Sequence, residues 1–395
     1  MNPTIKKAET YFLHTYNRYP IVLEYGSGVY LFDDSGKQYL DFAAGIGVFA
    51  LGYANAEYNE SLKKQIDQLI HTSNLFYNKP SADAAEKFAA SSGMEKVFFT
   101  NSGTEAIEGA IKIARKYYFN KTGSAEGEII AMDHSFHGRS MGALAVTGQP
   151  NYQKAFGPMI PNIKFATFNN LESVKEQIGE KTCAILLETI QGEGGLYPAT
   201  KEFLVGVEKL CADYDLLLML DEIQCGMGRT GNMFAYQAYG VIPDVITAAK
   251  ALGCGIPVGT FAARGKAAAV LEPGDHGTTY GFNPLAGAAV KTVFDIYEET
   301  HLLEHVLVVS NYLEVQLDQL ADCYPCIKQR RGKGLMQALE LDFPVKDVIV
   351  KAQKNNLIMI TAGPNVLRFL PPLIIEKKHI DEMIRILKGC LEEIQ

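Results

Sequence analysis

The chain has 395 residues, 47% hydrophobic and 21% charged, which is enough apolar material for a large core and more than one domain. Its net charge of −8, with lysines and arginines scattered singly or in pairs, argues against nucleic acid as a partner. No apolar run nears the roughly 20 residues that span a bilayer, and residues 1–30 alternate charge with aromatics where a signal peptide needs an apolar centre, so a cytoplasmic protein with no membrane partner is expected.

Residues 21–42, "IVLEYGSGVYLFDDSGKQYLDF", predict a small meander turning at Asp34-Ser35-Gly36. From about Lys96 onward, short apolar runs alternate with helix-like stretches, the signature of βα units around a buried parallel sheet. Strands are predicted over 96–100, 128–132, 183–189, 216–220 and 245–248; several are apolar without alternation, as strands covered on both faces should be. Beyond about Ala286 come amphipathic helices, then "GLMQALEL" and "NVLRFLPPLII", which read as strands of a smaller α+β domain. The expected architecture is α/β: a large domain over 56–285 with a mostly parallel central sheet, and a small α+β domain built from both ends, 1–55 and 286–395. The seven cysteines are an odd number in mostly apolar segments, against a disulfide framework. Cys323 and Cys326 form a lone CxxC with no second pair and no nearby histidine pair, so packed thiols are preferred to a metal site.

Four features carry chemistry. "TNSGTEAIEGAIKIAR" follows an apolar strand and opens a helix, placing Ser102, Gly103 and Thr104 where unpaired N–H groups suit a phosphate, although a plain N-cap reads the same way. No GxxxxGK[ST] occurs, nor a GxGxxG after the first strand, so neither a nucleoside triphosphate nor a dinucleotide is favoured. "LLLMLDEIQ" ends an apolar run on Asp221, at the carboxyl end of a strand; it either meets a cation there, such as a protonated heterocyclic nitrogen, or caps the next helix with Glu222 as an exposed neighbour. Lys250 is the only charge between Asp244 and Arg264: it snorkels to solvent or, desolvated, becomes a nucleophilic amine suited to Schiff-base chemistry. "DHSFHGRS" offers Phe136 as core or aromatic plate and Arg139 as surface residue or carboxylate fork, with His137 between them. A phosphate cradle, an aromatic plate, a buried Asp and an unpaired Lys, each at a strand's carboxyl end, are together what pyridoxal 5'-phosphate needs.

The chain resembles the class III pyridoxal-phosphate aminotransferases along nearly its whole length, through "TYNRYPIVLEYGSG", "YLDFAAGIGVFALGY", "NSGTEAIEGAIKIAR", "SFHGRS", "LLETIQGEGGLYPA", "LDEIQCGMGRTG", "AAKALGCGIPVG", "HGTTYGFNPLA", "GKGLM" and "RFLPPL" in family order. The resemblance implies the family's fold type I, pyridoxal 5'-phosphate as cofactor, and a homodimer with shared active sites. It implies that Lys250 bonds the cofactor aldehyde and moves protons, Asp221 pairs with the pyridine nitrogen, Gln224 reaches the ring hydroxyl and Phe136 stacks on the ring. Ser102, Gly103 and Thr104 would hold the phosphate, with Thr279 reaching the phosphate of the neighbouring subunit and Thr278 beside it at the substrate.

For substrates it implies 2-oxoglutarate and glutamate together with N-acetylornithine, which reacts at its terminal amine. Arg139 would take the distal carboxylate and Arg368 the proximal one. Glu193 would pair with Arg368 when no α-carboxylate is present, and Tyr16 would approach the substrate carboxylate. Ile46, where ornithine-specific members place a Tyr, favours an acylated amine. Ornithine, succinylornithine and 4-aminobutyrate remain alternatives, as do an aminomutase on the same scaffold, disfavoured by the paired arginines, and a non-catalytic binding protein, disfavoured by Lys250, Asp221 and Gln224. Departures from the family pattern are Phe282 in place of a Gly, expected to crowd the pocket mouth, Tyr53 in place of a His, and Gln337-Ala338, read as a packing change.

Overall fold

The computed structural model describes residues 2–393. Its large sheet runs in the order Lys96–Thr100, Gly259–Ala263, Val245–Ala248, Leu217–Asp221, Thr182–Glu188, Glu128–Met132 and Ile163–Ala166. Gly259–Ala263 is antiparallel to both neighbours, and every other adjacent pair is parallel. Three predicted strands fall where expected, and the third and fourth in chain order are displaced by one residue, to 182–188 and 217–221.

The absence of alternation in these strands has a direct cause. Side chains of a strand point alternately to opposite faces, and here each face meets a separate core. Ile185, Leu187, Leu218 and Leu220 enter one, while Ala184, Leu186, Leu217 and Met219 enter the other, against helix Gly103–Thr122. That parity also carries Asp221 and Glu188, the last residues of their strands, to the helix side.

The chain ends share structure. Strands Leu23–Ser27, Tyr30–Asp33 and Gln38–Asp41 form the predicted antiparallel meander, and Leu357–Ile358 extends it in parallel with Gln38–Asp41. A third sheet, Ile327–Lys333, Met336–Leu341, Val366–Phe369 and Ile360–Thr361, is antiparallel throughout, and helix Leu302–Cys323 packs on its first strand. Helix Pro284–Glu299 crosses residue 285 and packs on Lys79–Ser92 and Ala56–Gln68 as well as on Leu302–Cys323.

The departures from the family pattern find structural places. Tyr53 donates its hydroxyl to buried Asp41 at 2.6 Å and lies against Phe49. Gln337 is buried and bonded to Glu314, Gly334 and Arg330. Phe282 turns away from the main cavity and packs on Phe98 and Phe99, with ring centroids 5.1 and 5.4 Å away, in a left-handed backbone with φ 61°. No disulfide joins the cysteines, of which only Cys323 is exposed, and no metal-holding group of His, Cys, Asp and Glu occurs among the described residues. Among those residues no helix is long and apolar enough to cross a membrane.

Candidate active site

A cavity of about 470 Å³ opens at the carboxyl ends of the parallel strands, where open α/β sheets bind ligands. Its wall includes Ser102, Gly103, Thr104, Phe136, Arg139, Glu188, Glu193, Asp221, Gln224 and Lys250. Glu188, Asp221 and Thr247 stand in register on three adjacent strands.

Asp221 is 3% exposed, and both its oxygens are bonded. Its Oδ2 meets His137 Nδ1 at 2.7 Å, while its Oδ1 accepts from Ile223 N at 3.0 Å and from Thr247 Oγ1 at 3.2 Å. The histidine thus orients the carboxylate at the cavity wall. Glu188 accepts from Phe136 N at 2.9 Å and Gly192 N at 3.0 Å, and burial, opposed by His137 and reinforced by Asp221, raises its pKa to about 7.

Lys250 follows strand Val245–Ala248 and begins a short 3-10 turn with φ 52°, a left-handed conformation uncommon outside glycine. The turn directs its ammonium into the cavity instead of along the strand face. Among the described residues no carboxylate lies within ion-pairing distance of it. Burial therefore dominates and brings its pKa down to about 8; Glu193 opposes the shift and Arg368 adds to it.

The phosphate-type cradle is the start of the 20-residue helix Gly103–Thr122, with Ser102 as N-cap accepting from Glu105 N at 3.3 Å. A Cβ on Gly103 would stand 2.9 Å from the Ile223 side chain and force it to shift, so glycine here lets the helix end and Ile223 pack closely. Thr104 Oγ1 contacts Ser140 Oγ at 2.9 Å and accepts from Arg139 N at 3.2 Å, tying the helix start to the loop that carries Arg139.

Phe136 forms one cavity wall, edge-on to Tyr152. The exposed Arg139 lays its guanidinium 3.8 Å from the Tyr152 ring centroid and 5.5 Å from that of Phe136, and among the described residues it pairs with no carboxylate. A cation held flat on an aromatic face keeps its N–H edge available.

Arg368 reaches the cavity from strand Val366–Phe369 of the third sheet. Its Nη1 donates to Glu193 Oε1 at 2.6 Å and its Nη2 to Glu193 Oε2 at 3.2 Å, a bidentate fork completed by Gly192 O at 2.9 Å and Gln224 Oε1 at 3.1 Å. Gln224 also donates to Glu193 Oε1 at 3.3 Å. Arg368 holds Glu193 below the usual carboxylate range despite burial. From the same sheet Arg331 donates Nε and Nη2 to Gly195 O at 3.1 and 2.9 Å and stacks on Tyr197, fixing the far end of the loop.

Ten of the thirteen site residues marked by sequence therefore share one cavity: Ser102, Gly103, Thr104, Phe136, Arg139, Glu193, Asp221, Gln224 and Lys250 line it, and Arg368 reaches it through Glu193. Three do not join them within one chain. Tyr16 is 70% exposed, and Thr278 and Thr279 line a separate hollow with Asn101 and Glu105. Ile46 also lies off the wall, in a run of left-handed residues from Ala44 to Gly47, while Val48 is on it.

Glu222 is not the exposed neighbour that the helix-capping alternative supposed. It is fully buried because the odd-even alternation sends it to the opposite face from Asp221, where it accepts from Thr189 Oγ1 at 2.5 Å, Ala235 N at 2.6 Å and Tyr236 N at 3.1 Å. Glu188, Tyr152, Arg331 and the Asp221 partner role of His137 escaped the sequence reading. Glu188 had a usable signal: "CAILLE" ends an apolar strand on a carboxylate just as "LLLMLD" does.

The class-III aminotransferase family model matches residues 11–391, and the chain belongs to that family of pyridoxal-phosphate-dependent enzymes. Acetylornithine aminotransferase of Methanocaldococcus jannaschii is 46% identical over 385 residues, 98% of this chain and 97% of that protein. The Aquifex aeolicus protein of the same name is 46% identical over 384 residues, 97% of this chain and all of its own. Among solved structures, ornithine aminotransferase of Toxoplasma gondii superposes with a TM-score of 0.94 at 29% identity, covering 99% of this chain and 96% of that one. N-acetylornithine aminotransferase of Stenotrophomonas maltophilia gives 0.85 at 33% identity, covering 99% of each chain.

Proposed function

We propose that this protein transfers the terminal amino group of N2-acetyl-L-ornithine to 2-oxoglutarate, giving N-acetylglutamate 5-semialdehyde and glutamate, in two successive half-reactions within arginine biosynthesis. The carrying observation is the bidentate Glu193–Arg368 pair in the same cavity as the unpaired Lys250 and Arg139. The relatives of 46% identity bear that activity in their names and favour it over ornithine, although the fold likeness to an ornithine enzyme is high.

The donor set fits pyridoxal 5'-phosphate. It combines an ammonium without a counter-ion, a carboxylate oriented by His137, an aromatic wall and the open N-terminus of a long helix. In this reading Ser102, Gly103 and Thr104 hold the phosphate, Asp221 the pyridine nitrogen, Gln224 the ring hydroxyl, Phe136 the ring face and Lys250 the aldehyde. The bound cofactor supplies an aldehyde that captures amines and a ring that withdraws electrons.

The chain's part is to bind, to orient and to move protons. Burial brings the Lys250 pKa down to about 8, which eases loss of its proton, and Lys250 takes and returns a proton at Nζ. Arg139 receives the carboxylate remote from the reacting amine. Glutamate brings a second carboxylate beside its amine, which takes Arg368 in place of Glu193. The acylated ornithine brings none there, and the Glu193–Arg368 pair stays closed.

The reading includes a homodimer. Leu75, Phe76 and Tyr77 are largely exposed, and their segment is bonded through Asn74 Nδ2 to Thr278 O at 3.1 Å and Gly281 O at 3.2 Å. An interface covering these apolar side chains carries Thr278 and Thr279 toward a second copy's cavity. We divide the chain near residues 55 and 285, with helix Pro284–Glu299 as the joint. A panel of acetylornithine, succinylornithine, ornithine and 4-aminobutyrate against 2-oxoglutarate tests the assignment. Acetylornithine is expected to give the highest kcat/KM, and a higher value for ornithine or 4-aminobutyrate refutes it.

A further inference from the structure

Glu188 spends both carboxylate oxygens on backbone. Oε1 accepts from Phe136 N at 2.9 Å and Oε2 from Gly192 N at 3.0 Å. Phe136 is the aromatic wall, whereas Gly192 gives its carbonyl to Arg368 Nη1 at 2.9 Å and precedes Glu193, the acid of the fork. One carboxylate therefore fastens together the two elements that, in the proposed reaction, cover the cofactor ring and choose between the two substrates. No other described side chain bonds to both backbones.

We propose that Glu188 is a positioning residue that couples the Phe136 wall to the Glu193–Arg368 pair, so that displacement of Glu193 by an α-carboxylate is felt at the ring face. This rests on the two-substrate reading above.

The environment makes the clip sensitive to protons. Asp221 faces Glu188 from the neighbouring strand, His137 from the loop after Glu128–Met132 and Lys250 from the turn after Val245–Ala248; Glu193 and Arg368 lie beyond Gly192. The two N–H donors and His137 favour the carboxylate, whereas burial and Asp221 favour the acid, and the balance puts the pKa at about 7. In the acid one oxygen carries the proton and accepts more weakly, so one of the two N–H bonds is weakened. The clip is complete above about pH 7 and loosens below it.

The test uses Glu188→Gln, which keeps the volume but has one acceptor oxygen. Backbone hydrogen exchange, followed with and without cofactor, is expected to accelerate together in the segments holding Phe136 and Gly192. In single turnovers of the holoenzyme the ratio of glutamate to acetylornithine rates is expected to shift about threefold or more and to lose its pH dependence between about 6 and 8. Glu188→Asp, too short to reach both donors, serves if the Gln variant fails to fold, with the same exchange and ratio shift expected. Equal loss in both half-reactions with unchanged exchange overturns the coupling. Glu193→Gln separates the two ideas: if it shifts the ratio and the Glu188 variants do not, only the coupling fails, whereas an unshifted ratio in Glu193→Gln removes the two-substrate gate on which it rests.

Discussion

The surroundings of Lys250 and the stretch from Leu69 to Tyr77 invert the usual placement of charge in opposite ways. At Lys250 a charge is buried without an ion-pair partner; at residues 69–77 large apolar groups stand in solvent, with Leu75 86% and Phe76 69% exposed. The first anomaly is completed within one chain, since Asp221, Glu193 and Arg368 surround it and tune it. The second is incomplete within one chain and, on our reading, is finished by another copy. An odd charge points to chemistry, and an odd apolar surface points to assembly.

Replacing Lys250 breaks the first side of the comparison and carries the largest expected effect. Lys250→Ala is expected to lower turnover at least about a thousandfold, the scale of losing a covalent anchor and a general acid–base together, and to remove the visible absorbance of the bound cofactor. A cofactor-free Lys250→Met variant, which keeps an apolar stem in place of the ammonium, is nonetheless expected to be more stable than wild type by up to about 3 kcal/mol at pH 7, from a pKa lowered from 10.5 to about 8. The sign follows from proton counting. Between pH 8 and 10.5 the unfolded chain holds the proton that the folded chain has lost, so wild-type stability recovers as pH rises and the gap to the variant closes. Thermal melts across pH check this, and a variant less stable at pH 7 contradicts it.

The second side is broken by charging the apolar stretch. Phe76→Asp is expected to shift the protein from dimer to monomer in sedimentation and to reduce activity at least about tenfold through loss of the shared Thr279, a loss that higher protein concentration reverses by mass action. A monomeric wild type refutes the reading.

The smallest effect sharpens the contrast at Phe282, which is anomalous in backbone and ordinary in packing. Phe282→Gly relieves about 1–2 kcal/mol of left-handed strain and loses about 2–4 kcal/mol of packing of the partly buried ring on Phe98 and Phe99, a net destabilisation of about 0–3 kcal/mol. Because the ring lies off the cavity wall, kcat/KM is expected to stay within about twofold.

What was legible in sequence were interruptions of apolar runs. Asp221 and Lys250 announce themselves because a buried strand has no other use for a charge at its end, and the parallel sheet follows from strands too apolar to have a wet face. The antiparallel Gly259–Ala263 was not legible, since its direction depends on a sharp return after Lys250 and not on its composition. The alternative that left Glu222 exposed fails because the alternation of the strand ending at Asp221 continues one residue further and turns Glu222 into the opposite core. Thr278 and Thr279 lie apart from the cavity because the fold of one chain does not bring them to it.

The loop of Gly192, Glu193, Gly194 and Gly195 is rich in glycine yet pinned, by Glu188 and Arg368 at Gly192 and by Arg331 at Gly195. With its backbone tethered at both ends, the exchange of partners at Arg368 that we propose is a swing of the Glu193 side chain, and what passes through Gly192 and Glu188 to the ring face is a change of tension on the tethers and not a loop rearrangement. A side-chain swing of this kind moves fewer atoms than a loop rearrangement, which extends toward microseconds. Alternation between substrates then adds no slow conformational step to a turnover that lasts milliseconds or longer.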